Sequence, residues 1–577
     1  NSITAGTLNL QTTNSSIDMG SANPNFTVTF ANSSAVGWTA GRTITINNWT
    51  PTAARRIFVS AAGGFSPGQL AQINFAGYGV GAKILPTNEV VPALLFVTNG
   101  TTGGNFNVNT SWLYNSPPTA NDGTESIFIQ PGDVLTQNTN FNVLNAQIGG
   151  QLTMNAVNNL TVSGTVTHSG PINMVAGSVI NLNAGATWNC TGGTFTGSPT
   201  GRLNFIGAGT VTGTVTFPDV HIGGGVNFGT GSTIGNGSSL QLNAGFVVTN
   251  PPTYASGSTL IYNRNANRDL EWSAFPSVRG IPHHVRVNAG FTVRLDVTTA
   301  YNGEGRTMLG DLDIFGFLDM GGRVADGGSM AEDLVVGGSV TIRNGATLRL
   351  GCQEPGFSNI GDIEVGGDWN HEATGTFTPS QRAVIFNGSN PLQLVNFPGA
   401  REDFAYFIIS KTGNGTVRMN CNSLLFGSNR GAPLQILNGN LDLNGYTMTF
   451  QSYNDSDPDN SNHVNQNILI DGSGSGAALQ RRIFNTSGTP ANFIFTHSNS
   501  STRVASVTRN SANLSTLLFD ENVVVQISRT GTGTSGVNFG NTISTINGNG
   551  TLQINSGGFV DINPPTYADL SLLRYNT

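Results

Sequence analysis

From about residue 125 the chain alternates short apolar-polar-apolar triplets with small polar stretches. Ile127-Phe-Ile129, Leu160-Thr-Val162, Ile172-Asn-Met174, Ile180-Asn-Leu182 and Trp188-Asn-Cys190 carry the pattern, with Gly, Asn or Ser between them. They recur about every eight to twelve residues, a spacing typical of all-β folds. A period of two marks strands with one buried face. Each triplet is too short to cover the wide face of an ordinary sandwich. Three such strands per turn make a coil of roughly 22–25 residues, which predicts a parallel β-helix whose coils stack on one another. Inward residues bury between coils, outward Thr and Asn face water, and Gly or Asn takes the corners that need φ > 0. A propeller or a string of sandwiches is the rival arrangement, but a string of sandwiches shows clearer linkers than this chain does.

The first 120 residues differ in texture. Alternation at Phe26-Thr-Val28-Thr-Phe30 and Thr43-Ile44-Thr-Ile46 predicts strands. Ser66-Pro67-Gly68-Gln69-Leu70 predicts one or two helical turns, because Ser caps a first turn and Pro suits its first position. This segment reads as a β-sandwich module of about 100 residues. The polar run Asn115–Gly123 then reads as a linker. The expected organisation is all-β: a sandwich-like module over 1–120 and a β-solenoid over 121–577.

A longer repeat overlies the coils. Residues 245–264 (GFVVTNPPTYASGSTLIYNR) recur as 558–577 (GFVDINPPTYADLSLLRYNT), and Val226-Asn-Phe-Gly229 recurs as Val537-Asn-Phe-Gly540. A unit of about 312 residues therefore restarts near 536, in line with the fixed-period logic of repeat architectures. The second copy breaks off in mid-motif at Thr577. The expectation is an N-terminal part of a longer protein.

Composition narrows the function classes. The chain has 76 Gly in 577 residues and only 10% charged residues, against roughly 25% in ordinary soluble proteins. Lys83 and Lys411 are its only lysines. A net charge of −7 without a basic stripe argues against nucleic acid as a partner. No apolar run approaches the roughly 18 residues of a membrane-spanning helix. Cys190, Cys352 and Cys421 are odd in number and far apart, which makes neither a disulfide framework nor a metal ladder. The start at Asn1 is read as a mature secreted chain after processing.

Several segments resemble large surface proteins of Bacteroidetes exported by the type IX secretion system. In the N-terminal module these are Thr43–Thr50 (TITINNWT), Gln69–Phe75, and Gly81-Ala82 leading to Glu89-Val-Val-Pro92. Further on they are Val365-Gly-Gly-Asp-Trp369, Gly375-Thr-Phe-Thr-Pro379, Val384-Ile-Phe-Asn-Gly388 and the block from Pro251-Pro-Thr-Tyr254 to Glu271-Trp272. The resemblance implies an extracellular, elongated, adhesin-like protein and specifies no substrate.

Three groups could carry chemistry. Asp455, Asp457 and Asp459, amid Asn454, Asn460 and Asn462, suit a hard cation such as Ca²⁺, although Pro458 and the lack of a downstream bidentate Glu fit a solvated hairpin loop as well. Asp311, Asp313 and Asp319, with Glu332 and Asp333, could pair for glycoside chemistry, or bridge a cation if Asp311 stacks on Glu332 and Asp333 one coil on. Leu312, Ile314 and Phe315 interleave with them as in an ordinary half-buried strand. The third group is Arg264, Arg268, Asp269, Glu271, Trp272, His283, His284 and Arg286. It could hold a carboxylate sugar, but reads better as a brace between coils. His283 and His284 are adjacent, so on a strand they point apart. No nucleophile elbow, phosphate loop, Zn spacing or Cys/His pair is present.

The expected function is that of a secreted structural or adhesive surface protein, without enzymatic activity or cofactor beyond a structural calcium. Some 20 coils at roughly 4.8 Å each would give a rod of about 100 Å. Its expected partners are copies of itself in a fibre, and surface glycans or other cells. Alternatives are a polysaccharide-active β-helix enzyme and a calcium-dependent carbohydrate-binding protein.

Overall fold

The computed structural model describes residues 2–20, 25–49, 54–100, 102–112, 117–118, 121–197, 201–267, 270–273, 277–295, 305–321, 333–351, 361–380, 382–426, 432–451, 467–470, 479–497, 505–509, 515–529 and 536–576. The chain forms two compact units, Asn1–Pro252 and Thr253–Thr577. Both are built of short strands in parallel ladders, the β-helix that the triplets predict.

In the first unit three ladders run side by side from residue 95 onward. One passes through Ser126–Ile129, Ala146–Ile148, Thr165–His168 and Ala186–Cys190. A second passes through Val134–Gln137, Gln151–Met154, Pro171–Met174 and Thr194–Gly197. The third passes through Asn159–Val162, Val179–Leu182, Arg202–Phe205, Asp219–Ile222 and Ser239–Leu242. Register is fixed by the inward positions: Leu160 lies against Ile180, Ile180 against Leu203, and Leu203 against Val220. All four are at most 1% exposed. Burying each such side chain stabilises the stack by roughly 1.5–3 kcal/mol. A slip of one residue would turn the whole inward column to water.

The N-terminal segment does pack two sheets on one core, which runs from Leu10 and Met19 to Val90 and Leu95. Its connectivity differs from that of an antiparallel sandwich. Ser2–Ala5, Asn25–Phe30 and Ala54–Val59 pair in parallel, as do Ser15–Asp18, Ile44–Asn47 and Ile73–Phe75. Among the described residues, Gly79–Val80 against Ile73–Phe75 and Ala82–Ile84 against Val90–Pro92 run antiparallel, with single antiparallel bridges at Phe58–Glu89 and Thr98–Trp112. Nor does the polar run near 120 break the ladder, since Leu95–Val97 pairs with Ser126–Ile129. The predicted helix is present at Pro67–Leu70. Ser66 Oγ accepts from the Gln69 N–H and Gln69 Oε1 accepts from the Ser66 N–H, the reciprocal capping box. The Gln69 amide also donates to the carbonyls of Ser33 and Val36, which ties the turn to the core.

The second unit repeats the plan with longer coils. Inward Leu260, Val285, Leu312, Val340 and Trp369 stack strand on strand, each 0% exposed. Between residues 121 and 250, side chains bonded across one coil are 19 to 23 residues apart. In the second unit they run from 21 apart, Asn555 to Asn576, to 45 apart, Thr447 to Asn492. The expected coil of 22–25 residues is thus a mean over variable corners. The strands hold the register while the corners absorb length.

Candidate functional site

The acidic group around Asp313 is drawn into coil-to-coil ion pairs. Asp313 accepts from Arg343 Nε at 2.6 Å and lies 3.6 Å from Arg286, and Arg343 reaches on to Glu372 at 3.0 Å. Arg286 and Arg343 both lie over the Phe315 ring. Asp319 is 1% exposed and holds Arg349 in a two-pronged pair, the strongest geometry for a carboxylate and a guanidinium. Asp311 accepts from the Ser339 N–H, 28 residues on. Asp333 accepts from the Asp362 N–H, 29 residues on, in a different ladder. The expected stack of Asp311 on Asp333 therefore does not form, because a coil here exceeds the 21-residue spacing that suggested it. Glu332 lies outside the described residues. Burial, then the charges of Asp362 and Glu364, push Asp333 up to about 6.

Within the group from Arg264 to Arg286 the exposed Arg286 contrasts with an internal centre. Glu271 and Trp272 are both 0% exposed. Tyr262 Oη donates to Glu271 Oε1 at 3.1 Å, Tyr254 Oη donates to the Glu271 carbonyl, and Trp272 Nε1 donates to the Thr307 carbonyl. This is a brace between coils and leaves no room for a sugar at Trp272. Arg268 and Asp269 lie outside the described residues. His283 and His284 do not diverge: their rings meet edge-to-face at 4.4 Å. His283 precedes the strand His284–Val287, so strand alternation does not apply to it.

Sequence reading missed two buried pairs. His168 Nδ1 lies 3.8 Å from Cys190 Sγ, one coil away, between Trp188 and Phe195. Burial pushes His168 down to about 4 and seals it as a neutral core residue. His371 Nδ1 lies 2.7 Å from Glu402 and its ring stacks on Phe397 at 4.3 Å. Burial opposes charge on His371, but the bond to Glu402, its charge and a backbone bond at Gly375 together outweigh it and raise the imidazole, while burial raises Glu402. The pair thus holds a shared proton tightly. Equivalent placement in strands one coil apart marks His168 and Cys190 once the coil length is known, whereas His371 and Glu402 lie in different ladders and no such signal marks them.

What faces water is mostly amide and hydroxyl. In the second unit Asn396 donates to Asn370, Asn420 to Asn396 and Asn444 to Asn420, at 2.8, 2.7 and 2.8 Å. In the first unit Thr161, Asn181 and Asn204 form a similar column, with His221 and Gln241 continuing its register. Beside this column opens a hollow of about 340 Å³ lined by Arg202, Asn204, Phe205, Ile206, His221, Gly223 and Asn243. A glycine corner makes the space. A Cβ on Gly207 would meet Ala184 Cβ at 2.6 Å, one on Gly223 the Ile206 carbonyl at 2.7 Å, and one on Gly224 the Gly207 backbone at 2.3 Å. Coils can stack this closely only without side chains there, and the adjacent column then stands proud of a recess.

Among the described residues no group of three or more His, Cys, Asp or Glu is placed to hold a metal ion. Asp455, Asp457 and Asp459 lie outside the described residues. Among the described residues no helix is long and apolar enough to cross a membrane. No family model, curated protein or solved structure matches the chain.

Proposed function

We propose that the chain is a secreted structural and adhesive surface protein, working as part of a rod, fibre or appendage that touches glycans or other cells. The observation that carries this reading is the division of labour among its polar groups. Charged side chains such as Arg286, Asp313, Arg343 and Glu372 bond coil to coil. Amides and hydroxyls line the outer columns. A carboxylate locked to a guanidinium is a poor general acid or base, since both tasks need a proton free to move. Repeated neutral donors and acceptors suit many weak contacts, which multiply into strong attachment. The resemblance to type IX-exported surface proteins supports secretion and an extracellular place. The reading gives calcium a structural place only, at Asp455, Asp457 and Asp459. Calorimetric titration with Ca²⁺, against the Asp457→Asn variant, tests that part.

The deciding experiment incubates purified chain with acidic and neutral polysaccharides, both immobilised and free. Retention that rises steeply with the density of immobilised glycan, with no new reducing ends or unsaturated products, is expected. Turnover that disappears in Asp311→Asn or Asp313→Asn would establish the enzymatic alternative instead.

A further inference from the structure

We infer that the recess beside Arg202 binds an acidic sugar residue of a polysaccharide, taking its carboxylate on Arg202 and its hydroxyls on the neighbouring amides. This deepens the adhesive reading and rests on it for the class of ligand. The argument starts from groups the fold leaves wanting. Arg202 Nε is buried and has no partner among the described residues, and Arg202 enters no ion pair there. Asp219, its register neighbour, has turned its Oδ1 to the Ser239 N–H and O–H at 2.7 and 2.9 Å. Asn204 donates to Asn181 at 2.9 Å, but its own Oδ1 is buried without a partner among the described residues. A buried donor and acceptor left bare are unfavourable, which marks this wall of the recess as incomplete in its hydrogen bonding.

The rest of the lining narrows the ligand. His221 is held down to about 4, by burial and then by the Arg202 charge, so it is neutral near pH 7 and offers one donor and one acceptor. Arg202 is thus the only cation in the lining, which matches a ligand of single negative charge. A guanidinium takes a carboxylate through two parallel bonds. Ile206 stands 54% exposed on the rim and offers an apolar surface to the C–H face of a sugar ring. Neutral amides, one guanidinium and one aliphatic wall fit a uronate better than a phosphate or sulfate group, which attracts clusters of cations. The volume is that of a small ligand site.

The test titrates the intact chain with uronate tetrasaccharides, the neutral hexose tetrasaccharides of the same linkage, and sodium sulfate. The uronate is expected to bind at least ten times more tightly than its neutral counterpart, with sulfate giving no saturable signal. Arg202→Gln should remove that preference, and Arg202→Lys should restore only part of it. Ile206→Asp, on the exposed rim, should abolish uronate binding with an unchanged melting temperature, which covers the case of an unstable Arg202 variant. Equal affinity for acidic and neutral sugars, or a preference that survives Arg202→Gln and Ile206→Asp, would overturn the assignment. An Arg202→Gln chain that loses uronate selectivity yet still adheres to dense neutral glycan separates this site from the adhesive reading. A chain that binds uronate as stated but adheres to nothing defeats that reading alone.

Discussion

Single residues show where the stack is strained and where it is well made. Many corners are four-residue turns closed by a bond from the fourth N–H to the first carbonyl, with φ > 0 at the third residue. Gly177, Gly185, Gly237, Gly257, Gly290 and Gly345 occupy that place. Val157 and Leu570 occupy it too, at φ 62° and 71° and more than 80% exposed. Both are costly there, Val most of all because it is β-branched. Val157→Gly is therefore expected to stabilise its unit by about 1 kcal/mol, after the greater chain entropy of glycine is subtracted. Gly177→Val, one coil on, should destabilise by about 1–2 kcal/mol. Urea unfolding of the two variants checks both signs. Asp333 gives a pH dependence. Its carboxyl sits at about 6 against an ordinary 3.8, so the folded chain binds the proton more tightly. That contribution is fully present below about 4 and is lost as pH rises through 6. Asp333→Asn keeps an acceptor for the Asp362 N–H. It should raise the urea midpoint at pH 7 and flatten the profile between pH 4 and 6.

Strands and columns are the scale at which the fold was most legible. The triplets Leu160-Thr-Val162 and Ile180-Asn-Leu182 named both the strands and their inward residues. Their strict alternation left one choice of buried face. Coil length was less legible, because corners insert residues without touching the inward pattern. The site followed from coil length and was hidden with it. Arg202, His221 and Asn243 lie on three successive strands of one ladder or at their ends, and their convergence exists only once the register is set. The same holds for Arg343, whose partners Asp313 and Glu372 are 30 and 29 residues away. No local motif marks such pairs. The asparagine column makes its own prediction. Asn420 both donates to Asn396 and accepts from Asn444, so Asn420→Ala breaks two bonds and leaves two part-buried amides short. A loss of about 1–3 kcal/mol is expected from net hydrogen-bond energies. The double variant Asn396→Ala with Asn420→Ala should cost less than the sum of the singles, since they share a bond. Strict additivity in urea melts would show that the column is a surface coincidence.

Across the whole molecule, composition and architecture express one economy: few charges, several of them paired coil to coil, and many glycines where coils must approach. A stack of coils in which each touches chiefly its neighbours behaves as a nearly one-dimensional system, and a local defect spreads only as far as neighbour coupling carries it. The corner at Gly150 and Gly170 tests this within the first unit. A Cβ on Gly170 would lie 2.1 Å from the Gly150 carbonyl oxygen, and a Cβ on Gly150 would lie 2.2 Å from that of Gln130. The obstacle is backbone, which cannot swing aside as a side chain can, so Gly170→Ala must prise two coils apart at that corner. The bonds nearest to it are those from the Ser169 and Gly170 N–H groups to the Ile148 carbonyl. Hydrogen exchange read coil by coil should show the largest loss of protection over residues 146–174. The loss should be smaller at Val179–Leu182 and Ala186–Cys190, and negligible by Ser239–Leu242, whose inward Leu240 and Leu242 remain packed. Such a graded profile is what parallel coils with neighbour coupling require. A uniform loss of protection across residues 126–242 would instead show a single cooperative block, and the stack could then no longer be treated as a sum of coils.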